Sequence, residues 1–275
     1  MTSTVDASSE IDKASLEKWR QGDFTVEIKQ FLVVDSVENG ELMPFGLDVP
    51  GFVVVSQTCD IVNYGPGKEN VVVCPLREAT EGLLREIHRG RTPVAAKLQH
   101  PPKENLVVDL NRMMTVPKSV LSKLKREVGF SDDAERNRFG EALARKHGRF
   151  AFPDDFNDDV LAAIRSKMQK WHDKDSDNGK ALRSIASIRA TAAPDWDAKL
   201  VEVGFRVVLY PANRRLISND KIDEVLKTLF NGVQWPAKYT RANPLFIMQT
   251  LADLSAQDYI DSVAIDWDFL SNSSK

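Results

Sequence analysis

Five consecutive polar side chains form the densest group of chemically useful residues in the sequence. They follow a valine-rich segment at 52–55 and are Ser56, Gln57, Thr58, Cys59 and Asp60. Polar groups at the end of a buried strand could recognise a nucleobase edge or hold a partner's backbone, so residues 57–60 are a candidate binding site. Alternatively, Thr58 and Asp60 could bond backbone amides in a turn and be structural.

The chain contains two cysteines, Cys59 and Cys74. Cys59 could act as a nucleophile if His88 or His100 folded beside it. The alternative is that both thiols are small buried hydrophobic groups on adjacent strands. Two cysteines and four scattered histidines match neither a disulfide framework nor a zinc-ligand spacing, so the sequence predicts no metal and no cofactor.

Three arginines recur at intervals of seven and four residues in and after a predicted helix: Arg138, Arg145 and Arg149. This spacing could align their guanidinium groups along one helical side, where they could bind a row of phosphates. Glu135 and Glu141 are interleaved with them, so a solvated, salt-bridged helix face is the other interpretation.

Strands and loops of the N-terminal half must position most of these groups. Two β-branched segments, 52–55 and 71–76, predict neighbouring buried strands joined by a polar loop at 63–70. A longer strand is predicted at 24–37, followed by a turn at Asn39-Gly40 and a loop at 44–50. The charged segment 78–91 predicts a short helix or a loop, and 106–110 and 113–116 predict further strands.

The order of these segments resembles the MazF/PemK family of toxin-like SH3 barrels. The resemblance covers residues 22–124 and rests on Gly22-Asp23, Val53 to Ser56, Pro75-Leu76, and Thr115-Val116 with Lys118. It implies an SH3-like barrel in the N-terminal half and a setting in a bacterial stress or antiphage defence module.

The residues that such toxins use to cleave RNA are largely replaced here. Family members carry an arginine before the proline that opens the valine-rich strand, but Pro50 and Gly51 occupy those two positions. Cleavage by a 2′-hydroxyl needs a base, an acid and a cation beside the phosphate. A relocated catalytic set could supply these roles: Asp60, Arg77, Arg85 and His88. A metal-independent endoribonuclease is therefore the alternative to a binding protein.

Length and composition predict more than one domain. The chain of 275 residues, with 42% hydrophobic and 28% charged residues, is typical of a globular protein with at least one sizeable core. We predict an N-terminal tail and helix at 1–20, the barrel at 21–127, and a helical and small α+β domain at 128–275. The predicted class of the whole chain is α+β.

Elements of the C-terminal domain follow from hydrophobic periodicity. Helices are predicted at 132–147 and 154–171, a strand pair at 181–191 and 200–210, a helix at 219–230 and a last strand at 262–268. Trp196 and Trp267, each flanked by two aspartates, are interpreted as core rings with outward acids.

Charge and targeting signals bound the function. A net charge of −3 does not favour a surface devoted to nucleic acid. Residues 1–10 lack the basic start and apolar core of a secretory signal, and no apolar run approaches the ~20 residues of a membrane span, so a cytoplasmic location away from membranes is expected.

The function favoured by the sequence is partner binding on a degenerate MazF/PemK-like barrel. The expected partner is another protein of the same module, such as an antitoxin, protease, sigma factor or effector. Single-stranded RNA is an alternative ligand. The family also implies a homodimer, unless the C-terminal extension replaces that interface.

Overall fold

The computed structural model describes residues 11–88 and 92–266. The chain divides between Gly148 and Arg149 into two compact units. Helices and largely antiparallel sheets occur in both, which confirms the α+β class. The sequence predicted its domain boundary earlier, after residue 127. The structure instead joins the following helix to the first unit, because Phe139 packs in the same core as Phe24 and Phe130.

The first unit combines short helices with eight strands among its described residues. The strands are β1 (Phe24–Thr25), β2 (Gln30–Glu38), β3 (Glu41–Asp48), β4 (Phe52–Val54), β5 (Asn70–Glu78), β6 (Ala95–Ala96), β7 (Leu106–Asp109) and β8 (Met114–Pro117). The helices are α1 (Lys13–Leu16), α2 (Thr58–Ile61), α3 (Glu81–His88), α4 (Lys118–Leu121) and α5 (Asp133–His147).

The main sheet of this unit is built around β5. The strand order is β1-β4-β5-β7-β6, and β8 pairs with the first half of β5. Val73 lies opposite both Val54 of β4 and Met114 of β8, so β5 is central. These pairings do not close on themselves within the described part of the unit, and a closed barrel is therefore not observed.

Burial on both faces explains the valine-rich sequence of β4. Phe52 and Val54 enter one core cluster with Leu16 and Trp19, whereas Val53 enters the second cluster, which also contains Phe130. Successive side chains of a strand point to opposite faces, so a strand between two cores has no polar position. The prediction of neighbouring buried strands at 52–55 and 71–76 is confirmed, because β4 and β5 pair antiparallel.

The buried carboxylate of Asp23 joins the segment before β1 to the segment that follows α4. Asp23 is fully buried and accepts hydrogen bonds from the backbone N–H of Arg20 at 2.7 Å and from Arg126 Nε at 2.6 Å. The N–H of Gly129 also donates to it, at 3.3 Å. Gly22 adopts φ +89°, and a Cβ there would lie 2.3 Å from the Phe130 ring. The Gly22-Asp23 pair therefore has a structural role.

A hairpin of β2 and β3 forms a sheet of its own. Its turn is Asn39-Gly40, where both residues have positive φ, as the sequence predicted. The predicted loop at 44–50 is wrong, since β3 continues through Pro44 to Asp48. Likewise, the predicted strand at 24–37 is two strands, β1 and β2.

The second unit packs helices against a four-stranded sheet. Its strands are β9 (Ile185–Ala193), β10 (Val201–Leu209), β11 (Tyr239–Thr250) and β12 (Val263–Ala264), in the order β11-β10-β9-β12. Its α-helices are α6 (Ala162–Trp171), α7 (Asp177–Arg183), α8 (Asn219–Phe230) and α9 (Ala256–Ile260), with a π-helical turn at Phe156–Leu161 and a 3₁₀ turn at Ala212–Arg214.

Most predicted elements of this unit are confirmed, with changed bounds. The helix at 219–230 and the strand at 201–209 occur where the sequence placed them. Residues 181–183 end α7 rather than start a strand, and β11, parallel to β10, was not predicted. Trp196 packs on the core, as interpreted. Trp267 lies outside the described residues, as does the end of the predicted strand at 262–268.

Candidate binding cleft and the predicted site residues

A cleft of about 680 Å³ in the first unit brings together residues that the sequence assigned to different sites. It lies between α3, the segment 92–99 and α5. Its polar lining is His88, Thr92, Lys97, Gln99, Glu135, Arg138, Glu141 and Arg145, and its apolar lining is Ile87, Pro93, Ala95, Ala96, Leu98, Phe130, Phe139 and Ala142. We call this the α3–α5 cleft. Three of the predicted site residues share it: His88, Arg138 and Arg145.

Packing and capping of α5 set the geometry of one wall. Asp132 caps the helix by accepting from the N–H of Glu135 at 2.8 Å. The Phe139 ring lies 5.2 Å from that of Phe130. One face of α5 is thereby fixed on the core, and the adjacent face borders the cleft.

The charges of this wall alternate in sign. Arg138 Nη1 donates to Glu135 Oε1, one helical turn earlier. Arg138 is exposed, and Arg145 is half-buried. Arg138 therefore forms the salt bridge that one interpretation of the sequence predicted. The same helix face also borders the α3–α5 cleft. Both guanidinium groups remain in reach of a ligand in the cleft, since both line it.

Arg149 does not continue this row. Helix α5 ends at His147 with Gly148 as its C-cap, so a helical spacing cannot place Arg149 beside Arg138 and Arg145. Arg149 belongs to the second unit. The predicted three-arginine stripe is thus a pair of arginines.

The proposed catalytic set does not assemble. Arg85 forms an exposed i,i+4 pair with Glu81 at 3.7 Å and is not part of the described cleft lining. Arg77 lies near the end of β5, where its Nε is 3.5 Å from Asp109. Asp60 lies in α2, near the opposite end of β5, where Lys118 bonds to both Asp60 and Glu69. With β5 extended, residues 69 and 77 are about 25 Å apart.

Lys118 fixes the position of Asp60. Its Nζ donates to the backbone carbonyls of Asp60 and Asn63, both at 2.6 Å, and its own N–H donates to Glu69. Only 1% of Lys118 is exposed, and its ammonium lies over the ring of Tyr64. Burial lowers the pKa of this ammonium, and the carboxylate of Asp60 partly offsets that effect. The lysine therefore anchors the end of α2.

Residues 57–60 form the exposed surface of α2 and its start. Gln57, Cys59 and Asp60 are exposed, whereas Thr58 is half-buried and its hydroxyl accepts from the N–H of Gln21 at 3.1 Å. Cys59 Sγ lies 3.6 Å from Gln57 Oε1. Thr58 thus has the structural role of a backbone partner, and the other three remain accessible.

Asp109 is a buried charge that sequence analysis did not single out. It is 3% exposed at its side chain and contacts Arg112 Nη1 at 2.5 Å in addition to Arg77. Lys146 of α5 donates to Asn111, whose own N–H donates to Asp109. The signal available in the sequence was the acid that ends the apolar run at 106–108, a position that strands between two cores rarely give to a charge.

The two thiols differ in accessibility, which corrects the prediction that both are buried. Cys74 is buried in β5, and burial, with a smaller contribution from Asp109, raises the pKa of its thiol to about 12. Cys59 is exposed on α2. Thiolates, not thiols, react with disulfide reagents.

We therefore expect one equivalent of 5,5′-dithiobis(2-nitrobenzoate) to react per native chain at pH 8, and two after denaturation in guanidinium. The variant Cys59→Ser should react with none in the native state. Rapid reaction of two thiols in the folded protein would contradict the burial of Cys74.

Comparison with known proteins does not assign the chain to a family. No family model matches it, and a search of curated proteins finds no matching relative. Among the described residues, no helix is long and apolar enough to cross a membrane. The same residues contain no group of three His, Cys, Asp or Glu side chains placed to share a metal ion.

Proposed function

We propose that this chain is a partner-binding protein of a bacterial stress or antiphage module, built on a degenerate MazF/PemK-like barrel. The α3–α5 cleft is the proposed site for a segment of the partner protein. The observation that carries the proposal is the lining of this cleft, which combines an apolar base with charges of both signs.

Mixed charge favours a peptide over RNA as the ligand. Leu98, Phe130 and Phe139 offer apolar surface to side chains, while Arg138 and Glu141 could pair with charges of either sign. A strand of RNA presents a uniform row of negative phosphates. Glu135 and Glu141 would repel those phosphates, so the cleft suits the alternating charges of a protein segment better.

The strand arrangement supports the barrel part of the proposal. In the first unit β5 pairs with three strands, β4, β7 and β8, over different parts of its length. Closing a sheet into a barrel requires a staggered strand register, and the offset of β7 and β8 along β5 agrees with such a stagger. The separation of Asp60 from Arg77 supports the loss of nuclease chemistry, because an acid, a base and a cation must reach one phosphate.

A direct test combines an RNA assay with partner binding. The purified chain should leave fluorescent single-stranded RNA intact, with or without divalent metal. The proteins encoded by the genes beside this one would then be produced singly, and their affinity for the chain measured by calorimetry. We expect one of them to bind.

Cleft variants locate the binding site. Arg138→Glu removes a cation from the rim without disturbing the core, and Ala142→Trp fills the cleft. Each should weaken partner binding at least about tenfold, which corresponds to about 1.4 kcal/mol. Lys103→Glu and Ala144→Trp are matched controls at exposed positions outside the cleft lining and should bind normally. RNA cleavage that a single substitution abolishes, or full binding by both cleft variants, would refute the proposal.

A further inference from the structure

The hairpin of β2 and β3, residues 30–48, exposes an unusual number of large apolar side chains. We call it the apolar arm. Its exposed residues include Leu32 (60%), Val34 (57%), Val37 (63%), Leu42 (65%) and Phe45 (52%). Scattered single apolar residues are normal at a protein surface, but a contiguous patch marks an interaction site.

Strand register places four of these side chains on one face of the apolar arm. Leu32 lies opposite Gly46, Val34 opposite Pro44, and Val37 opposite Leu42. A bulge between Val34 and Ser36 adds one residue to β2. Val37 therefore points to the same side of the hairpin as Val34, although it is three positions further along. Together these residues expose roughly 400 Å² of apolar surface, the size of the largest patch on a typical monomer.

Both edges of the apolar arm are poorly suited to pairing with another strand. The bulge interrupts β2, and Pro44 removes a backbone donor near the middle of β3. Bulges and prolines are devices that prevent edge-to-edge association. The face, and not the edge, is therefore the available contact surface.

The charges of the apolar arm specify the partner's chemistry. Residues 30–48 contain four acids and no lysine or arginine: Asp35, Glu38, Glu41 and Asp48. Packing two arms face to face would bring together two hairpins that each carry four acids and no basic residue, which disfavours a second copy. The same acids repel nucleic acid and anionic lipid surfaces. A partner surface with lysine or arginine around an apolar centre is complementary.

We propose that the apolar arm binds a basic amphipathic helix of a partner protein. Two strands are about 10 Å wide, close to the diameter of a helix. Eight residues of strand extend about 27 Å, which matches a helix of roughly 18 residues. Leucine-like side chains of the helix would cover Leu32, Val34, Val37 and Leu42. A flanking cation would face Asp48, which alternation along β3 places on the same face as Leu42. This interaction goes beyond the proposed function, because the arm shares no residue with the α3–α5 cleft.

Synthetic helices can test this inference without a known partner. The probe is a fluorescein-labelled 18-residue peptide of leucine and lysine with all leucines on one helical face, and its control has glutamate in place of lysine. Fluorescence anisotropy in 150 mM salt should detect binding of the leucine–lysine peptide and not of the leucine–glutamate peptide.

Variants of the apolar arm then locate the contact. The double variant Val37→Asn/Leu42→Asn, and separately Asp48→Lys, should each weaken binding of the leucine–lysine peptide at least about tenfold. Leu251→Asn removes an equally exposed leucine of the second unit and should bind normally. Ala142→Trp should also bind normally, which separates this result from failure of the proposed cleft.

Three results would overturn the inference. One is equal binding of the leucine–lysine peptide to the arm variants and the unmodified chain, which would indicate non-specific attraction. Another is equal binding of the leucine–glutamate peptide. The third is a stable dimer in sedimentation that Val37→Asn/Leu42→Asn dissociates, since a second copy would then occupy the face.

Discussion

Asp23→Asn is expected to lower the free energy of unfolding of the first unit by about 3 kcal/mol. Asp23 is fully buried and accepts from three donors in two segments: Arg20 before β1, and Arg126 and Gly129 after α4. The asparagine keeps the size of the side chain but replaces one acceptor oxygen with an NH₂ group. That group would face a donor, and the guanidinium of Arg126 would lose its counter-charge.

Hydrogen exchange of the full chain, followed by mass spectrometry, measures this change in the two units separately. Peptides of β1 and β4 should exchange faster in Asp23→Asn, while peptides of β10 should keep their rates. Asp35→Asn, an exposed acid of the apolar arm, is the matched control and should change stability by less than about 0.5 kcal/mol. Unchanged exchange in Asp23→Asn would show that the buried carboxylate contributes little.

Gly51→Ala is expected to lower the free energy of unfolding of the first unit by about 3 kcal/mol or more. A Cβ on Gly51 would lie 2.1 Å from the carbonyl oxygen of Thr25 and 3.1 Å from Val26 Cα. Both are backbone atoms, so no side-chain rotation can relieve the contact. β1 must move away from β4, which breaks the pairing of Thr25 with Phe52.

Gly46→Ala is the control for the general effect of adding a methyl group to a glycine of this sheet region. Its Cβ would meet only the end of the Gln30 side chain, at 3.4 Å, which can turn aside. We expect Gly46→Ala to be neutral or slightly stabilising, since alanine reduces the entropy of the unfolded chain. Equal melting temperatures for Gly51→Ala and Gly46→Ala would contradict the close approach of β1.

Sequence reasoning predicted the elements whose signal is local. The β-branched runs around Val53 and Val73 predicted two strands because strands buried on both faces need apolar residues at every position. Asn39-Gly40 predicted the turn of the apolar arm because both residues accept positive φ. The prediction from sequence was wrong for β3. Pro44 suggests a loop, but it occupies a strand with one free edge.

The cleft could not be predicted because its parts meet only through packing. His88 and Arg138 are fifty positions apart, and the contact of Phe130 with Phe139 brings α5 to the segment 92–99. Conversely, Asp60 and Arg77 are close in sequence but are separated by the length of β5. Residue types can suggest a catalytic set. The distance between its members depends on the path of the chain between them, and residue types do not reveal that path.

The central position of β5 also governs how the first unit can fold. The arm closes across a two-residue turn, so its hairpin can form within microseconds and without the rest of the sheet. Strands β4, β7 and β8 instead all require β5, and their contacts with it span loops that must close first. An isolated hairpin is only marginally stable in water, so the arm forms transiently before the main sheet assembles, and a partner that covers it could act during synthesis as well as afterwards.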